Sequence, residues 1–209
     1  MMTSITQKDK NKIKAFIRLQ KKGPFKHLND KECKAPQSEY IVHVTKAKNI
    51  YKCAVDQAWL DVCRNVKVND YTRKKINRGK EIIADMLQEY FNSKPRKLEA
   101  FDKWYDSILS NSTTNTALTV GQAQKIINMS FKYIFCCEDI RDTKMAYFSW
   151  CHMPLDNVIL NNLGMRGLVW NSITDRDLYT MIVEYSRNKY DNCNLLLKDF
   201  EIWKPNNKK

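Results

Sequence analysis

Residues 118–162 read LTVGQAQKIINMSFKYIFCC, then EDIRDTKMAYFSW, then CHMPLDNVILNN, and their pattern decides the fold class. One glycine, Gly121, stands where a tight turn passes into a long amphipathic run. Within that run Ile127, Phe131, Ile134 and Phe135 recur at helical spacing and mark a core face. Lys125, Asn128 and Lys132 fall at i, i+3 and i+7 on another face. A polar connection follows, and Pro154 and Asp156 then open a second helix carrying Val158, Ile159, Leu160 and Leu163. Aspartate caps a helix N-terminus by accepting orphan backbone N–H groups, and Gly164 and Gly167 are its stop signals.

The same periodicity spreads outward. Val55, Trp59, Leu60 and Cys63 predict one helix; Ile76, Ile82, Ile83, Met86, Leu87, Tyr90 and Phe91 predict a longer one that Pro95 breaks. Asn69 and Asp70 are its capping candidates. Leu98, Phe101, Trp104, Tyr105 and Ile108 predict the next, followed by a polar linker over 111–115. Ser172 or Thr174 is placed to cap a helix bearing Leu178, Met181, Ile182 and Tyr185, and a last helix covers Leu195 to Trp203 before Pro205. Residues 1–48 read differently: a lysine-rich arm with one short helical run, then a brief β-like string, Tyr40 to Val44. The expected organisation is an all-α protein. A basic N-terminal arm and loop span 1–48, and a helical domain spans 49–209, built as one body or as two lobes around one cleft. Only five glycines and five prolines argue against a sandwich or barrel, which needs many turns.

Lys and Arg total 36 against 23 Asp and Glu, a net charge of +13 that points to a polyanionic partner, nucleic acid before membrane. No stretch reads as a signal peptide or a membrane span. Seven cysteines at irregular spacing read as reduced thiols of an intracellular protein. Cys136, Cys137, Cys151 and His152 lack the two-to-four-residue gaps of a structural zinc site, so buried thiols are expected and no metal or other cofactor.

Gly121-Gln122-Ala123-Gln124-Lys125, followed thirty-one residues after the lysine by Asp156 in Pro154-Leu155-Asp156, resembles the helix-hairpin-helix DNA glycosylase superfamily. That family enters a helix through a glycine-x-glycine-x-lysine hairpin and starts a later helix with proline-apolar-aspartate. Here Ala123 replaces the second glycine. The long link and the ending Leu195-Leu196-Leu197-Lys198-Asp199-Phe200-Glu201-Ile202-Trp203 are most similar to the archaeal 8-oxoguanine glycosylase branch, so the resemblance covers about residues 118–203.

The resemblance implies a DNA glycosylase, with or without AP lyase activity, excising a modified or damaged base from a flipped-out nucleotide. Lys125 would be the nucleophile and Asp156 the carboxylate that stabilises positive charge on the sugar. Gly121, Gln122, Ala123 and Gln124 would hold a phosphate on their N–H groups, and Lys132, Arg73, Lys74, Lys75 and Arg78 would contact the backbone. Asn128, Phe131, Trp150, His152 and Trp170 would form the base pocket. The expected partner is DNA, without a membrane, and the expected state is a monomer. Two other readings use the same residues differently. One is a non-catalytic nucleic-acid-binding protein with a basic face; the other is a helical protein-interaction domain whose charge is incidental.

Overall fold

The computed structural model describes residues 49–63, 70–114, 116–191 and 193–203. The lysine-rich arm, the Tyr40–Val44 string, Asn69 and Pro205 lie outside the described residues. Among those described there are eight α-helices and two short 3-10 helices. They are α1 Ile50–Val62, α2 Asp70–Asn92, α3 Leu98–Thr113, α4 Val120–Cys136, α5 Glu138–Thr143, a 3-10 helix Met145–Phe148, α6 Asn157–Leu163, a 3-10 helix Trp170–Ser172, α7 Arg176–Lys189 and α8 Leu195–Ile202. The all-α class expected from periodicity is what these residues form.

α4 lies at the centre. All 17 of its residues are buried, with α1, α3, α5, α7 and the Trp170–Ser172 turn packed around it. Its N-terminus is a capping box. Thr119 accepts from the Gln122 N–H through its side chain, and the Gln122 side chain returns to the Thr119 backbone N–H. The helix therefore begins at Val120, and Gly121 sits inside its first turn rather than in an open hairpin.

Aromatic rings fill one side of this core. Phe131 of α4 meets Tyr90 and Phe91 of α2 at 5.7 Å between ring centroids, and Trp104 of α3 at 6.0 Å. These edge and tilted contacts between buried rings join α2, α3 and α4 into one apolar cluster. α2 stops at Asn92, ahead of Pro95, as its sequence predicts. α3 runs further than expected, to Thr113, because Ser112 and Thr113 bond back to the Leu109 carbonyl and let the helix continue through polar residues. α7 is capped by Asp175, not by Ser172 or Thr174, and α6 ends at Gly164 in the left-handed region at φ 88°.

Gly121 fixes how the Trp170 turn meets α4. Its N–H donates to the Ile173 carbonyl at 2.8 Å, and a Cβ at this position would lie 1.7 Å from the Trp170 carbonyl oxygen. No side chain fits without moving backbone. Gly121→Ala is therefore expected to lower unfolding stability by about 1–3 kcal/mol. Urea denaturation checks it; a variant as stable as the parent would contradict the close approach.

Candidate functional site: paired lysines and aspartates on the central helix

Lys125 and Lys132 stand two turns apart on α4, so both project to the same side of the helix. Each meets one aspartate. Lys125 Nζ lies 3.6 Å from Asp156 Oδ2, and Lys132 Nζ contacts Asp199 Oδ2 of α8. The two pairs differ in access. Lys125 and Asp156 keep 9% and 7% of their surface exposed, whereas Lys132 and Asp199 keep 1% and none. The outer pair keeps a small exposed surface; the inner pair is sealed.

Asp156 is held by its own helix. As N-cap of α6 it is extended, and Oδ1 accepts the N–H groups of Val158 at 2.9 Å and Ile159 at 3.0 Å. That leaves Oδ2 to face the lysine. On its other side Lys125 faces the ring of Trp170, with Nζ 4.4 Å from the centroid, a cation–π distance. Thr119 Oγ1 donates to the Asn171 carbonyl at 3.0 Å, so the turn bearing Trp170 is clamped to the start of α4.

The inner pair answers to different forces. Burial pushes the Asp199 carboxyl up to about 6, against the opposing pull of Lys132; Asp156 adds to the rise and Lys125 opposes it. All four groups thus form one electrostatic cluster. Asp199 Oδ1 has no hydrogen-bond partner among the described residues. Lys132 accordingly serves the interior and does not offer its ammonium to a phosphate, contrary to the expectation from its helical face.

No protein-family model, curated protein or solved structure matches this chain. The site therefore stands on its geometry. Of the residues singled out in the sequence, the structure brings together Lys125, Asp156 and Trp170. Gly121, Gln122, Ala123 and Gln124 are buried within α4, and three of their N–H groups are already bonded: Gly121 to the Ile173 carbonyl, Gln122 to Thr119 Oγ1 and Ala123 to the Thr119 carbonyl. The helix start is closed by its own cap, so these groups are not displayed to a phosphate. Phe131 belongs to the aromatic core. Trp150 is half-buried, and its Nε1 donates to the Arg96 carbonyl at 3.1 Å. Arg73, Lys74, Lys75 and Arg78 lie on the N-terminal half of α2, the end away from Tyr90 and Phe91; Arg73, Lys74 and Arg78 are exposed, and Arg78 is 3.6 Å from Glu81.

Asn128 and His152 belong to a buried polar network. Tyr105 donates to Asn128 Oδ1 at 2.9 Å, and Asn128 Nδ2 reaches Tyr179 Oη at 3.2 Å. His152 Nδ1 is 2.9 Å from Tyr179 Oη, and its Nε2 is 3.1 Å from Arg187 Nη2. Nε2 also lies 3.4 Å from Asp102 Oδ1, so that nitrogen faces a donor and an acceptor at once. Burial pushes His152 down to about 4 despite its bond to Asp102, so the ring is neutral at pH 7. Burial pushes Asp102 up, but hydrogen bonds from His152 and Arg187 and the Arg187 charge outweigh it and hold the carboxyl at about 2. Among the described residues no group of three His, Cys, Asp or Glu is placed to hold a metal ion, and burial pushes the Cys136 and Cys137 thiols up to about 12. No helix of the described residues is long and apolar enough to cross a membrane.

The inner pair yields a test of the cluster. Removing one partner leaves a buried unpaired charge, so Lys132→Met and Asp199→Leu should each cost about 3–5 kcal/mol of stability, while the double variant recovers most of it. The pH response should change as well. Between 3.8 and about 6 the folded state holds more protons on Asp199 than the unfolded chain does, so its contribution to stability falls as pH rises. Between about 4 and 6.5 the unfolded chain holds more protons on the His152 side chain, so that contribution rises with pH. The two oppose each other in the parent. The double variant keeps only the histidine's, and chemical denaturation across this window should show stability climbing with pH.

Proposed function

We propose that this protein is a DNA N-glycosylase with an associated lyase step, and that Lys125 and Asp156 are its catalytic pair. The observation that carries the reading is their meeting at 3.6 Å in the less buried half of the cluster, beneath the Trp170 ring, in a chain of net charge +13. The target nucleotide leaves the stack and its base displaces the Trp170 ring from Lys125, exchanging a cation–π contact for a base–aromatic stack. Asp156 Oδ2 faces the positive charge that develops on the sugar as the base departs, in a site where little water screens it. The Lys125 ammonium gives up a proton to solvent, its Nζ bonds to C1′ as the N-glycosidic bond breaks, and the base leaves with that electron pair and gains a proton from solvent. Loss of a proton from the new C–N group and opening of the sugar give the Schiff base. Removal of a C2′ proton then expels the 3′ phosphate and breaks the strand.

A second reading has its own observation. Asp156 Oδ1 is fully engaged in capping α6, and the exposed Arg73, Lys74 and Arg78 are suited to phosphate contacts without any chemistry. On that reading the lysine–aspartate pair is structural, and the protein only binds nucleic acid.

Base release separates the two. Duplexes carrying oxidised or alkylated bases are incubated with the protein, and free base is quantified. The glycosylase reading expects release by the parent. In Asp156→Asn, which retains the cap, release should drop by about 10²-fold or more with DNA affinity within about twofold. Lys125→Ala should abolish strand cleavage. Salt-dependent binding with no base release from any lesion, and no effect of either variant, would establish the binding-only reading instead.

A further inference from the structure

The segment that delivers Asp156 is not held in place by the Lys125 contact alone. Gln124, the residue before Lys125, is wholly buried and has every polar atom engaged. Its Nε2 donates to the Leu155 carbonyl at 2.9 Å and to the Gly121 carbonyl at 2.9 Å. Its Oε1 accepts from the Leu155 N–H at 3.1 Å and from Asn128 Nδ2 at 3.2 Å. One carboxamide thus grips both the N–H and the C=O of the residue immediately before Asp156. Two bonds to one residue fix rotation as well as distance, which a single bond does not. Asn128, one helical turn on, donates to the Met153 carbonyl at 3.3 Å and adds a second hold on the same segment.

We infer that Gln124 is a positioning residue that sets the register of the 153–156 segment against α4 and so places Asp156 opposite Lys125. The chemistry of the residue type fits the task. A carboxamide supplies donor and acceptor side by side in one plane, as a peptide group does. Asparagine is one methylene shorter and a carboxylate lacks the donor. Asp156 is fixed to its own backbone by its capping bonds, so its place opposite Lys125 follows from where that backbone lies. A displacement of about 1 Å at a reacting group can cost about 10²-fold in rate. This inference rests on the glycosylase reading for its catalytic consequence but not for its structural one.

The test has two arms. In the first, the energetic coupling of Lys125 with Asp156 is measured by a double-mutant cycle of Lys125→Met and Asp156→Asn on unfolding stability. The cycle is run in the parent and in Gln124→Met, Gln124→Glu and Tyr133→Phe backgrounds. Tyr133 is a control on the same helix, with its hydroxyl bonded to Asp61 at 2.6 Å. Coupling should vanish in Gln124→Met, persist in part in Gln124→Glu, which still accepts from the Leu155 N–H, and remain whole in Tyr133→Phe. If Gln124→Met does not fold, the glutamate variant carries the comparison. In the second arm, kcat for base release should fall about 10²-fold in Gln124→Met with DNA affinity unchanged, and stay near the parent value in Tyr133→Phe. Undiminished coupling in the Gln124 variants, or an equal kcat loss in the tyrosine control, would overturn the inference. A parent protein that releases no base would sink the glycosylase reading while the first arm still decides the positioning role.

Discussion

Two lysines lie on a helix that is buried on every side, and the rest of the structure answers to that constraint. α4 cannot turn Lys125 and Lys132 to open water, so each ammonium needs a carboxylate brought to it from elsewhere in the chain. Asp156 comes from the start of α6 and Asp199 from α8, which also pack against each other. Trp170 closes the outer lysine, and Gly121 allows the Trp170 backbone to come close enough to do so. Gln124, just before the outer lysine, and Asn128, between the two, bind the extended segment that carries Asp156. A helix with an apolar face alone would need none of these parts.

The cluster is graded from inside to outside. Asp199 and Lys132 are removed from water, and burial lifts the aspartate against its partner's pull. Asp156 and Lys125 retain a small exposed surface and lean on a helix N-terminus and an aromatic ring. An ion pair of the inner kind is costly to keep and is weak evidence for stability in its own right. Here it joins α8 to α4, beside the Phe135–Phe200 ring contact at 6.0 Å. The proposed chemistry draws on the outer pair, which keeps the exposed surface.

How much of this was legible in the sequence follows from which residues interact locally. Helices were readable because apolar residues recur every three to four positions, and the Asp156 cap and the Gly164 stop were readable because their partners lie within one turn. The meeting of Lys125 and Asp156, thirty-one residues apart, was suggested only by the resemblance to a glycosylase family. The burial of the whole first turn of α4 was not legible: glycine followed by polar residues looks like an exposed hairpin. It becomes a buried helix start because Thr119 and Gln122 cap it and the Trp170 turn covers it. The roles of Gln124, Asn128 and Asp199 were equally hidden, since their partners at Leu155, Met153 and Lys132 lie 25 to 67 residues away. A glutamine or lysine in a helical run carries no sign of whether it faces water or another backbone.

In the proposed reaction the Lys125 amine acts on a sugar carbon beside Asp156. The most direct measurement is to incubate the protein with abasic-site DNA, reduce with borohydride, digest, and locate the adduct by mass spectrometry. A stable adduct on Lys125 is expected. An adduct on a different lysine or on the chain's α-amino group, or no adduct at any pH at which the protein remains folded, would contradict it.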